Sequence, residues 1–474
     1  MRQLFLILLA VFFIVSCEDE KYVSSTDAKL AFSATEIKFD TVYSLIDNGT
    51  RHLKVYNQYD QIIKISMARL AMGDRSPFRL NINGNVTNEV FDFEIPPLDS
   101  VYIFVEVVED IDSLSFILKD SIEFLTNTNY QKVNLKAWKQ NVNLISNDIE
   151  ISQTWSSERP YLVTDKIEVA PNTTLKILQG TKIYFQEGSG LYVWGKLIAK
   201  GSMQYPIIFQ GTKPYGGIQD DISQWNGILF FSGSHDNELD FIEVKNANIA
   251  LQVGNIENEG YASAVIGNSK IYSNTYAGIF AVKSKIRGYN VLISDFGLYG
   301  IALLVGGEYE FLHTTVAGYN DDIFANPRNT PALLISDHVI IEKNSKKITY
   351  QGEMKKAFFA NTIVAGNIIS GNEIKIGEAG DRKMNFRFDH CFLQLADTFD
   401  ISNGKYYNKI IKGGNPGFIA PYKSLNFELD TLSIVRDAGL EEISTKYPFD
   451  LKMTSRIVDD APDLGVYEQV GKIK

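Results

Sequence analysis

A short apolar burst closed by a turn residue recurs at a fixed step in the second half of the chain. The pairs Gly278-Ile279 and Gly300-Ile301 stand 22 positions apart, and Lys270-Ile271 returns as Leu292-Ile293 after the same step. A period of roughly 20–25 residues marks a solenoid, whose single unit cannot bury its own apolar face and whose core forms by stacking. Burst length selects the kind. In "TTLKILQGTKIYF", "WNGILFFSGS" and "NSKIYSNTYAGIFAV" the bursts are three to five residues, rich in Ile, Val and Phe, with no 3.6-residue period. They predict coils of short parallel strands, a parallel β-helix, with Ile271 and Ile293 on adjacent rungs. Gly and Asn are expected at the corners, where a left-handed backbone costs them least. Asn246 and Asn274 are expected to stack there from coil to coil, satisfying their amides in a ladder.

The rhythm before this region is different. From Lys29 to about Asn143 the period is two: Ile37, Phe39 and Thr41 share a face, as do Val101, Ile103, Val105 and Val107, and Val133, Leu135 and Ala137. With "NING" and "TNTN" as turns, these runs read as half-buried antiparallel strands of a β-sandwich.

The front end is a third regime. Arg2 precedes twelve apolar residues, Leu4 to Val15, too few to span a bilayer, which takes roughly twenty. A basic residue, a short apolar core and a small residue before a cut describe a secretory signal peptide. "IVSC" resembles a bacterial lipobox, which implies lipidation at Cys17 and attachment to a membrane, since stable anchoring takes more than one acyl chain. The following "EDEK" resembles the surface-export signal of some Gram-negative lipoproteins. With Cys17 lipidated, Cys391 is left without a partner, so no disulfide framework exists.

A 474-residue chain exceeds one compact core. Its net charge of −11 and lack of a basic tract exclude nucleic-acid binding by counterion release. The one basic cluster, Lys343, Lys346, Lys347, Lys355 and Lys356, reads as a solvated hairpin tip. The expected organisation is a signal peptide over 1–16, a lipidated tether over 17–28, the sandwich over 29–143, a linker over 144–158, and the solenoid with a closing segment over 159–474.

Two resemblances sharpen this. "DSIEFLTNTNYQKVNLKAW" resembles the last strands of abnormal-spindle-type immunoglobulin-like domains, which implies an immunoglobulin-like sandwich of the spacer or protein-binding kind. "HTTVAGY", "NTIVAGN", "FDHCFLQL" and "NPGFIAPYKSLNFELDTLSIVRDAGL" resemble, in order, the right-handed parallel β-helix lipoproteins of pectin-lyase-like fold. "DLGVYE", Asp463 to Glu468, is similar to that family's closing motif after the last coil. The resemblance covers about residues 155–468, and it implies a fold rather than an activity.

Chemistry is sparse in the sequence. β-helix lyases use an Arg or Lys base with carboxylate-held Ca²⁺, and hydrolases use paired aspartates. On a strand Asp321 and Asp322 would point to opposite faces and could share a site only if the segment is a loop, and they read better as a solvated turn. In "GDRKMNFRFDH", Arg387 and Asp389 share a face opposite Phe386 and Phe388, with Asp381 and Arg382 nearby. They are the candidate catalytic pair if the chain is an enzyme, and otherwise a structural ion pair. His313 and His390 read as packed or capping side chains, and no metal or cofactor motif occurs. Trp194, Tyr215 and Trp225 could stack on sugar rings, although "WNGILF" also reads as a coil motif with Trp225 packed in place.

The sequence therefore predicts a lipid-anchored outer-membrane protein facing the cell surface. It would bind glycan or another surface protein through the β-helix without catalysis. The second reading is a polysaccharide lyase or glycoside hydrolase acting on an acidic polysaccharide.

Overall fold

In the computed structural model the described residues are 21–43, 49–108, 117–212, 223–256, 260–319, 328–343, 345–368, 371–378, 384–422, 424–458 and 461–470. Cys17, Tyr215, Asp321, Asp322, Asp381 and Arg382 lie outside them. The chain divides into two compact units after Val142.

The first unit is two five-stranded sheets around one core, which takes in Ile37, Phe39, Val101, Ile103, Val105, Val133, Leu135 and Ala137 as the alternation requires. The turns also match their chemistry: Asn83 and Gly84, then Asn127 and Thr128, all have positive φ, as tight hairpins of right-handed twist demand. One pairing departs from the antiparallel expectation. Glu36–Tyr43 runs parallel to Asn129–Gln140, because these segments meet across the whole unit rather than through a hairpin.

The second unit is a parallel β-helix with three walls. Wall 1 contains Thr174–Leu178, Lys196–Lys200 and Asn237–Asp240, then segments of longer strands at 264–267, 285–289, 308–312, 356–360 and 386–389. Wall 2 contains Lys166–Val169, Gly190–Val193, Ile228–Phe230 and Ile249–Val253, and later Leu333–Ser336 and Ile374–Gly377. Wall 3 runs from Asn143–Ile145 through Ile242–Lys245 and Thr315–Gly318 to the end of Phe386–Leu393. Gln153–Trp155 pairs with Thr174–Leu178, so the stretch expected as a linker supplies strands to the first coil.

Ile271 is the register partner of Ile293, and Ile279 of Ile301. Inside wall 3, Ile271 and Ile293 belong to a column, Ile183, Phe209, Val244, Ile271, Ile293, Val316, Val364 and Leu393, each fully buried. Inside wall 1, Phe311, Phe359 and Phe388 stack with centroids 5.3 and 5.0 Å apart, one rung to the next.

The corners differ from the expectation in more than one respect. Between walls 1 and 3 the left-handed residues are Phe241, Asn268, Asn290, His313, Asn361, His390 and Lys409, with φ from 46° to 51°. Asn246 does occupy a left-handed corner, at φ 62°. Asn274 does not: it is fully buried and accepts from the Ala247 amide. The repeated glycines are not corners either. A Cβ on Gly278 would lie 2.5 Å from Ile293 Cγ2, and one on Gly300 would lie 2.3 Å from Val316 Cγ1. They are glycine because a neighbouring rung's side chain fills the space, not because φ is positive.

The segment after the last coil folds back against the outside of wall 3. Phe418, Phe427, Val435, Leu464 and Val466 pack on Leu292, Ala317, Ile363 and Phe392. The Val466 amide donates to Thr315 Oγ1 at 3.1 Å and the Gly465 amide to the Asn361 carbonyl at 2.8 Å. The "DLGVYE" motif thus covers a flank.

Candidate functional site

The outward positions of wall 1 carry a row of opposed charges on successive rungs. On the strand Asn237–Asp240, alternation sends Leu239 inward and Glu238 and Asp240 outward. Lys200, one rung below, bridges to Glu238. Two rungs above, Lys285 pairs with Glu308 at 3.3 Å, and Glu310 lies between Arg287, at 3.3 Å, and Lys356. Lys285, Arg287, Glu308, Glu310 and Lys356, with Asn237, Ser263 and Val265, line a groove of about 310 Å³.

Asp240 is the carboxylate with the most distinctive surroundings. Its register partner is Gly267, whose partner in turn is Tyr289. A Cβ on Gly267 would lie 2.2 Å from Tyr289 Cζ and 2.3 Å from its oxygen. The bare glycine therefore lets the phenol lie across the intervening strand and hydrogen-bond the Asp240 carboxylate. Tyr447, just after the helix Glu441–Lys446, stacks on Tyr289 at 4.5 Å, so the folded-back segment forms one rim.

The electrostatics divide these acids. Burial raises the Asp240 carboxyl, against hydrogen bonds from Asn268 and Tyr289 and the charge of Lys200. Burial and the facing Asp240 push the Tyr289 hydroxyl up to about 12, so it remains a donor. Burial also acts upward on Glu310, but Lys356 and Arg287 outweigh it and hold that carboxyl below its usual range. One wall thus offers a carboxyl that burial raises, Asp240, and one that neighbouring cations lower, Glu310.

Arg387 and Asp389 are brought together further along the wall. Arg387 Nε and Nη2 reach Asp389 Oδ2 at 3.0 and 2.9 Å. Asn408 Nδ2 and His390 Nδ1 meet its other oxygen at 2.8 and 2.7 Å. Burial raises this carboxyl, yet the donors from Asn408, Arg387 and His390 leave it lowered overall. A carboxylate already engaged by four donor atoms is poorly disposed to act on a substrate, and the ion-pair reading describes the geometry best.

The expected aromatic contacts separate. Trp225 is 1% exposed, stacks on Phe185 at 3.9 Å and donates Nε1 to the Lys245 carbonyl at 2.9 Å, so it cannot hold a sugar. Trp194 is half-buried, with one face against Phe231 at 4.2 Å. His313 is fully buried, with Nε2 2.9 Å from Ser444 Oγ and 3.1 Å from Asn361 Nδ2. The lysines separate too: Lys343, Lys346 and Lys347 lie on an exposed hairpin, whereas Lys356 belongs to the wall 1 groove. Among the described residues no cluster of His, Cys, Asp and Glu has the makings of a metal site.

Sequence reasoning missed Glu238, Asp240 and Tyr289. The alternation in "NELDF" could have put the two acids on one face, but no spacing links Asp240 to a tyrosine 49 residues away.

No family model matches the sequence, and comparison with curated proteins finds no match. Among solved structures the chain is similar to the catalytic domain of a GH87 α-1,3-glucanase D1069A in complex with tetrasaccharides, at 10% identity and TM-score 0.29, over 77% of this chain and 79% of that one. It is also similar to the catalytic unit of the thermostable GH87 α-1,3-glucanase from Streptomyces thermodiastaticus strain HF3-3, at 9% identity and TM-score 0.26, over 76% and 89%. A family 123 glycoside hydrolase from Clostridium perfringens matches at 7% identity and TM-score 0.18, over 25% of this chain, which spans only 30% of that one. All three are glycoside hydrolases by description, which runs against the expectation of a non-catalytic binding or adhesion protein.

Proposed function

We propose that the chain is a glycoside hydrolase that cleaves a polysaccharide laid along wall 1, with Asp240 as proton donor and Glu238 as the base that activates water. The observation that carries this reading is the pairing of two outward carboxyls on one strand, one raised by burial and the other bridged to Lys200. Side chains two residues apart on a strand are rooted roughly 6.6 Å apart, which suits an inverting arrangement with a water between them. Asp240 gives its proton to the glycosidic oxygen as the bond to the anomeric carbon breaks. Glu238 takes a proton from the water whose oxygen bonds that carbon from the opposite face. The cations of the groove, Lys285, Arg287 and Lys356, suit an acidic polysaccharide.

The rest of the reading concerns the whole chain. The β-helix is right-handed, as crossovers between parallel strands almost always are. The first unit is an immunoglobulin-like spacer, and lipidation at Cys17 anchors the protein in the outer membrane facing the cell surface.

The deciding experiment offers the mature chain to a panel of neutral and uronate-containing polysaccharides and follows new reducing ends and the anomer first formed. Turnover with inversion, lost at least 100-fold in Asp240→Asn and in Glu238→Gln, is the expected result. Turnover untouched by both changes would refute the assignment of these two residues.

A further inference from the structure

The Asp240 carboxylate is one end of a directed chain of side-chain hydrogen bonds that runs along the corner ladder into the buried C-terminal segment. Asn268 Nδ2 donates to Asp240 Oδ1 at 2.8 Å. Asn290 Nδ2 donates to Asn268 Oδ1 at 3.0 Å, and also to the Phe449 carbonyl at 2.8 Å. Arg456 Nη2 donates to Asn290 Oδ1 at 3.2 Å. Both asparagines are held by left-handed backbone at consecutive corners, which puts their amides one rung apart.

An amide can face either way in such a ladder, because it donates from one side and accepts on the other. A guanidinium can only donate. Arg456, which donates to the Asn290 oxygen, and the Phe449 carbonyl, which accepts from its nitrogen, together fix that amide so that its nitrogen faces Asn268 and the Asn268 nitrogen faces Asp240. Arg456 is itself held fully buried, with Nη1 3.3 Å from Glu468 Oε2 and Nη2 3.0 Å from the Gly465 carbonyl.

We propose that Arg456 is a positioning residue for Asp240, acting through Asn290 and Asn268 to set the direction of the hydrogen bond that arrives at its carboxylate. The role rests on the reading of Asp240 as proton donor, and it makes the folded-back segment part of the site. Reversing the ladder would present an amide oxygen to Asp240 instead of a donor, favouring the protonated carboxyl. The other groups facing Asp240 are Lys200 and Tyr289, with Glu238 beyond the phenol. Those facing Arg456 are Glu468, Asp450, Asp463 and His313. All of them stay in place in the variants below.

The test compares the full-length protein with Asn290→Gly, which keeps the left-handed corner but breaks the ladder, and Asn290→Asp, which keeps the shape but cannot donate when ionised. Arg456→Lys is the conservative variant. The readout is the pH midpoint at which Asp240 is labelled by a water-soluble carbodiimide, measured by peptide mass spectrometry, beside the basic limb of the hydrolysis profile. The labelling midpoint should rise by about half a pH unit or more in both Asn290 variants, more in Asn290→Asp, and stay near the parent in Arg456→Lys. An unmoved midpoint in either folded Asn290 variant overturns the proposal. Labelling does not depend on turnover, so a shifted midpoint in a protein without hydrolase activity would sustain the relay while refuting the catalytic reading of Asp240.

Discussion

Tyr289 reaches Asp240 across a strand that carries glycine at the crossing point. Gly267 is the register partner of both, and its missing side chain is the space the phenol occupies.

Restoring that side chain should expel the phenol. Gly267→Ala places a methyl 2.2 Å from Tyr289 Cζ, so the ring must leave. Overpacking of this kind costs about 1–3 kcal/mol. The expected outcome is a lower Tm and loss of hydrolysis, with Tm recovered in Gly267→Ala/Tyr289→Ala while activity stays low. A recovered activity in the double variant would show that Tyr289 has no part in the site.

Removing a rung from the wall 3 column should be felt over the whole solenoid. Ile293 is fully buried between Ile271 and Val316. Ile293→Ala should cost about 2–5 kcal/mol, measured by denaturant unfolding of the second unit's transition. Lys285→Ala, on an exposed position of the same long strand, should change it by less than about 0.5 kcal/mol.

Asp295 should make stability fall as pH rises. It occupies a left-handed corner, 2% exposed, and accepts from Ser273 Oγ at 2.7 Å. Burial raises its carboxyl from the usual 3.8 to about 6. The folded chain thus holds this proton more tightly than the unfolded chain. Its stabilising share is fully present below the unfolded value and is lost as pH climbs through about 6. Asp295→Asn should raise Tm at pH 7, by up to about 3 kcal/mol in free energy, and leave it little changed at pH 4. Equal gains at both pH values would contradict the argument.

A buried ion pair near the upper coils should tolerate joint replacement but not the loss of one partner. Arg328 Nη2 lies 2.7 Å from both oxygens of Glu373, and both side chains are at most 1% exposed. Glu373 also accepts from the amides of Ala332 and Ile368 at 3.0 Å. Glu373→Leu should cost about 3–5 kcal/mol by stranding the guanidinium, while Arg328→Met/Glu373→Leu should regain a large part of it. The check is a double-mutant cycle from urea unfolding.

Much of the fold was legible because stacking needs a regular period. The step from Ile271 to Ile293 is the register offset itself, and the alternation at Val101 to Val107 names the buried face of a sheet strand. The candidate site was far less legible. Arg387 and Asp389, two residues apart, announced themselves as a pair and proved to be one, but a pair that satisfies itself. The charges around Asp240 come from coils far apart in sequence, and Arg456 comes from a segment beyond the last coil.

By itself, then, the sequence determined that short strands would wind into stacked coils, since a fixed apolar period can be buried in no other way. The tertiary structure alone decided which carboxyl lies desolvated beside Tyr289 and which segment folds back to anchor its hydrogen bonds. The physical reason is that burial and hydrogen-bond direction depend on neighbours in the next coil, and the chain's own spacing encodes only how far away that coil is.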